Sequence, residues 1–163
     1  MLRFSSLLAF PFFILATIDV GAESHAHGEH VASIGELVVL HAWTMPARAG
    51  EDAVVFFEVE NGGEAVLLRG GESEAAATVD VVGASMAADG TRSYQPVGAY
   101  SIPGGTMAFD PGGLGLRLND LHFDLVEGQE VHLHLLLGSG ELEMSVEVQP
   151  AGATAHSHAG HSH

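Results

Sequence analysis

The chain has 163 residues, with 21 Asp and Glu against five Arg and no Lys, for a formal net charge of −16. Phosphate binding needs clustered Lys and Arg, so this balance argues against a general nucleic-acid or anionic-membrane binder. The absence of cysteine excludes disulfides, thiolate metal sites, cysteine nucleophiles and lipid attachment through a cysteine, and an apolar fraction of 47% argues against global disorder. Histidine is the uneven residue: three of the 11 lie within residues 25–30, four lie within the last eight positions, and four remain for the body.

Residues 1–22 read as a secretory signal peptide. Arg3 supplies a positive start, and Leu7 to Ile18 is apolar with one proline, Pro11. Val20-Gly21-Ala22 provides the small residues that signal peptidase needs, which places cleavage after Ala22. The apolar run is short for a hydrocarbon core of about 30 Å. The expected location is therefore periplasmic, or otherwise exported. Removal of the leader takes away Arg3 and Asp19 together and leaves the net charge unchanged. An acid-rich, Lys-free surface then serves solubility rather than a particular basic partner.

The rest divides into a polar arm over 23–34, a body over 35–149 and a Pro/Gly/Ala/Ser/His tail over 150–163. The tail has no hydrophobic periodicity and is expected to be disordered unless a metal orders it. The body reads as β throughout. Nine strands are expected, at Glu36–Trp43, Ala53–Glu60, Ala65–Arg69, Thr78–Ser85, Arg92–Val97, Thr106–Asp110, Leu114–Leu118, Glu130–Leu137 and Glu141–Gln149. Between them lie turn words such as Asn61-Gly62-Gly63, Asp89-Gly90 and Pro103-Gly104-Gly105. In the last strand Leu142, Met144, Val146 and Val148 alternate with Glu141, Glu143, Ser145 and Glu147, the pattern of a half-buried antiparallel strand. Short strands at this spacing predict an all-β sandwich or Greek-key barrel.

The order of these words resembles the periplasmic copper(I) chaperones of the PCuAC family, across about residues 35–149. The matching residues are Ala42-Trp43, a loop through Pro46 and Gly50, Glu60-Asn61-Gly62-Gly63, and Leu67-Leu68. Asp89-Gly90, Gln95-Pro96-Val97, Ile102-Pro103-Gly104-Gly105, Pro111-Gly112-Gly113 and Leu125-Val126-Glu127-Gly128 follow. The resemblance implies a cupredoxin-like β-sandwich and a Cu(I) site of two His and two Met, soft ligands suited to that ion. Laid onto this chain, the first His-x-Met word falls on Val82 and Ala84, and the middle Met falls near Arg92 or Tyr94. The second His-x-Met word falls on Gly115 and Arg117. None of these is a ligand, and Arg117 would set a fixed positive charge beside any cation. A shift of one or two residues brings in Met86, but no shift supplies a histidine.

Metal binding is therefore expected at the ends of the chain. His156, His158, His161 and His163 lie within eight residues, and His25, His27 and His30 add three more imidazoles. A flexible segment can gather several imidazoles around copper or, as an alternative, zinc, with an affinity that falls as the rings protonate. His132 and His134 share one face of a strand, about 6.5–7 Å apart along it, and need a third converging ligand to hold a metal. Two solvent-facing histidines is the plainer reading of that pair. His122 reads as a loop surface residue, and His41 as a rim residue beside a packed Trp43. Met107 and Met144 read as core filler.

No nucleophile elbow, zinc-hydrolase word, Walker loop or dinucleotide fingerprint is present, so an enzyme is not expected. The sequence predicts an exported copper-handling β-sandwich that acts through His-rich termini. By the resemblance, its client is a copper enzyme under assembly such as a terminal oxidase. A metal-free interaction module and a metal buffer without a client stand as alternatives.

Overall fold

The computed structural model describes residues 30–154, and all its regular elements are strands. They are β1 (Val31–Ile34), β2 (Leu37–Thr44), β3 (Ala53–Asn61), β4 (Val66–Glu72), β5 (Ala76–Met86), β6 (Arg92–Pro96), β7 (Tyr100–Ile102), β8 (Gly105–Phe109), β9 (Leu114–Leu121), β10 (Glu130–Leu137) and β11 (Gly140–Val148). The order β2-β11-β10-β4-β5-β9-β3 closes on itself because β3 also pairs with β2. This makes a seven-stranded barrel, which removes the open edges that a flat sheet would leave. β1 flanks β2, β8 flanks β3, β6 pairs with β5 and β7 pairs with β4. The all-β, cupredoxin-like expectation holds, realised as a closed barrel with four accessory strands.

Alternation explains which face each strand buries. Leu142, Met144, Val146 and Val148 of β11 are each at most 6% exposed, and Val131, Leu133, Leu135 and Leu137 of β10 pack beside them. The opposite faces of these strands carry Glu141, Glu143, Glu147, His132 and His134. Phe57 of β3 and Phe109 of β8 stack with ring centroids 4.4 Å apart and planes 14° off parallel. Met144 is core filler as expected, and Met107 is half-buried against the same core.

Two strands were not anticipated. β1 pairs antiparallel with β2 from Val31↔Leu40 to Ile34↔Leu37, so the body begins at Val31 rather than at residue 35. The connection is the two-residue Gly35-Glu36, with Gly35 at φ +59°, a conformation that suits glycine and closes a tight hairpin. β7 is three residues long and pairs with Val66–Leu68 of β4.

One buried amide joins two of the turn words. Asn61, 3% exposed, donates from Nδ2 to the carbonyls of Glu64 (2.8 Å) and Pro103 (3.2 Å). Its Oδ1 accepts from the Gly63 N–H at 3.1 Å. The Asn61-Gly62-Gly63 turn and the Pro103-Gly104 turn are thereby held against each other, with the polar groups of this buried amide paired.

Candidate metal centre

The positions where the resemblance puts a Cu(I) site do come together. Val82 of β5 is the direct antiparallel partner of Gly115 of β9, and Ala84 pairs with Tyr94 of β6. The geometry is right for two converging side chains, but the chemistry is not. Val82 is fully buried and apolar. A Cβ on Gly115 would lie 2.5 Å from Val54 Cγ1 and 3.2 Å from the Phe56 ring, so those two side chains take the space of a ligand there.

Arg117 completes the exclusion. Its Nε donates to Asn119 Oδ1 at 2.7 Å, and its Nη1 donates to the Tyr94 carbonyl at 3.2 Å. Asp52 Oδ2 lies 3.9 Å from Nε. The guanidinium is always charged and held in place, so it repels a cation at this point of the barrel. The Tyr94 hydroxyl donates to the Pro111 carbonyl at 2.9 Å, and its ring packs near Phe56 at 6.1 Å. Burial raises the Tyr94 phenol above its ordinary range, against the lowering pull of Arg92. These residues do not fit Cu(I). Met86 does not alter this, because it sits at the turn end of the β5–β6 hairpin opposite Arg92, 63% exposed.

On the outer face of β10 and β11, His134 is directly opposite Glu143 on one side and Glu72 on the other. His132 Nδ1 lies 3.2 Å from Glu143 Oε1, and both side chains are more than half exposed. Glu74, His132, His134 and Glu143 line a shallow cleft. Even so, among the described residues no three His, Asp or Glu side chains converge closely enough to hold a metal ion. His122 is the loop residue expected, with Nδ1 3.0 Å from the Glu74 carbonyl.

The third place is where the described chain begins and ends. β2 changes neighbours along its length: residues 37–40 pair with β1, whereas Trp43 and Thr44 run parallel to β11. The change is made at His41, which has φ +53° and sits at a register shift against β3. A bulge of this kind breaks the alternation, so Ala42, Trp43 and Thr44 are buried in succession. The His41 N–H donates to the His30 carbonyl at 3.0 Å. His41 also lines a cleft with Trp43, Glu58, Asp110 and Thr154, the last described residue. Both described ends of the chain therefore lie against His41. The His30 ring is 3.6 Å from Glu130 and 3.8 Å from Glu147. Of the terminal histidines singled out from sequence, His30 is described, while His25, His27, His156, His158, His161 and His163 lie outside the described residues. His41 is half-buried at a rim beside Trp43, as its spacing from Trp43 predicts. The backbone geometry that links it to His30 had no sequence signal.

The fold is that of PCuAC domains. Residues superpose on the apo PCuAC domain of PmoF2 with a TM-score of 0.60 and 21% identity, covering 77% of this chain and 99% of that one. The copper-bound PCuAC domain from PmoF2 gives the same TM-score at 22% identity, covering 74% and 98%. The apo PCuAC domain from PmoF1 gives 0.60 at 19% identity, covering 74% and 99%. No curated protein matches the chain. Residues 37–149 match the model of the LpqE-like lipoprotein family, and the chain belongs to that family. The lipoprotein description of the family points to export. This sequence has no cysteine through which a lipid could be attached.

Proposed function

We propose that this protein is an exported copper-binding protein of the chaperone type whose metal is held by histidines at its two ends. Residues 1–22 act as the leader. Residues 23–30 and 151–163 carry the imidazoles, and the barrel is the platform that presents them. Captured copper passes by ligand exchange to a copper enzyme under assembly, of which a terminal oxidase is the type. Zinc is the competing borderline ion.

The observation that carries this reading is the meeting of both described chain ends at His41. His30 is bonded to His41 through the backbone, and Thr154 lines the same cleft two residues before His156. The two described ends, which in sequence adjoin the His-rich segments, thus share one cleft. A barrel with Val82, Gly115 and Arg117 at the expected ligand positions leaves the ends as the richest source of imidazole.

Calorimetric titration of Cu(I), Cu(II) and Zn(II) into the full chain and into a chain ending at residue 150 tests the reading. Copper affinity should fall by at least about tenfold on truncation, the loss of about 1.4 kcal/mol of ligand contribution. Unchanged affinity would remove the tail from the site. No binding by either chain would favour the metal-free interaction module, for which the filled barrel site is the supporting observation.

A further inference from the structure

The cleft above Arg117 has a ligand chemistry of its own. About 360 Å³ in volume, it is walled by Met45, Pro46, Val54, Phe56 and Tyr94, with Arg117 and Asp52 as its charged members. Arg117 is four-fifths buried, with 21% of its side chain exposed. A guanidinium has five N–H groups. Two are taken by Asn119 and the Tyr94 carbonyl. The other three have no hydrogen-bond partner among the described residues. Asp52 is oriented by the Asp120 N–H, which donates to its Oδ1 at 3.1 Å. Its Oδ2 points to the guanidinium but stands 3.9 Å from Nε, beyond a hydrogen bond.

A fixed donor fork and a carboxylate, side by side at the mouth of an apolar cleft, match a ligand with both charges. Arginine takes a carboxylate in bidentate geometry. The surrounding charge of −16 disfavours a simple anion at long range, whereas a ligand with no net charge avoids that repulsion. The cleft has the size and mostly apolar lining of a small-molecule site.

We propose that this cleft binds a free amino acid with an apolar side chain. The α-carboxylate lies on Arg117, the α-ammonium faces Asp52, and the side chain rests on Met45, Pro46 and Phe56. The site requires no metal and stands whether or not copper is held at the ends of the chain.

The probes are L-leucine, L-leucinamide, which lacks the carboxylate, and N-acetyl-L-leucine, which lacks the ammonium. Amide chemical shifts of the full chain are followed during titration with each. Leucine should give saturable shifts around residues 44–54, Tyr94 and Arg117. It should bind at least about tenfold more tightly than leucinamide, the value of one charge-assisted contact. Arg117→Gln should lose leucine binding by at least the same factor. Asp52→Asn should weaken leucine and should not weaken N-acetyl-leucine. Because Arg117 also holds β6, the comparison of the three probes on the unmodified chain decides the matter if Arg117→Gln fails to fold. Absence of saturable shifts with leucine, equal binding of leucinamide, or shifts centred elsewhere would overturn the proposal.

Discussion

The His30 carbonyl accepts a hydrogen bond from the His41 N–H at 3.0 Å, and this bond fixes where the N-terminal segment leaves the barrel. The bond continues the β1–β2 register in which Val31 faces Leu40, and His41 itself sits in the left-handed region at φ +53°, at the register shift against β3. Histidine tolerates that region better than most residues, though at some cost in strain. The C-terminal segment reaches the same cleft at Thr154. The two ends of the described chain thus reach one cleft.

Gly115 should be intolerant of any side chain. Its Cβ position is 2.5 Å from Val54 Cγ1, 3.2 Å from Phe56 and 3.2 Å from the Val55 carbonyl. Gly115→Ala should destabilise the barrel by about 1–3 kcal/mol, the usual cost of overpacking. Adding Val54→Ala should recover part of that loss by opening space. Chemical denaturation of the two single variants and the double variant measures the coupling, which should be clearly non-additive. Gly115→His, by the same argument, destabilises and does not create a copper site.

Asn61→Ala should cost about 2–4 kcal/mol. It leaves the Glu64 and Pro103 carbonyls and the Gly63 N–H without their partner in a buried setting, at about 1–3 kcal/mol for each group that water cannot reach. Asn61→Asp should be similarly harmful, because it turns the donor toward two carbonyls into a second acceptor. The midpoint of thermal unfolding reads both effects.

Much of the barrel was legible because burial enforces alternation. β10 and β11 could be read residue by residue, since buried Val131, Leu133, Leu142, Met144 and Val146 are each followed by a Glu, His or Ser. β1 was hidden because four residues, VASI, carry too little pattern and follow a polar, His-rich stretch. β7 is shorter still and owes its existence to pairing with β4. At the site, the apolar character of Val82 and Gly115 was visible from the resemblance, but their direct pairing across β5 and β9 needed the register. The His41 bulge was not legible, because a lone histidine inside an apolar strand does not signal a positive φ as a glycine would. The role of Arg117 was half legible: its charge followed from the sequence, its fixing by Asn119 and Tyr94 from the fold.

Tyr94 gives the stability a dependence on alkaline pH. Burial raises the phenol above the ordinary tyrosine range. The folded state therefore favours the neutral form. Its stabilising contribution is complete below the unfolded tyrosine value and is lost as pH rises through the folded value. Tyrosinate absorbance should show an ionisation later than that of an unfolded tyrosine, and Tyr94→Phe should abolish this late step.

The claim that metal is held at the ends rather than inside the barrel is tested most directly by adding paramagnetic Cu(II) to the isotope-labelled full chain. The site nearest the ion loses its amide signals first. The account predicts early loss at His30, His41, Glu58, Asp110 and Thr154, with Val82, Ala84, Gly115 and Arg117 still visible at one equivalent. Early loss at Val82, Ala84, Gly115 and Arg117, with the signals around His41 intact, would contradict it.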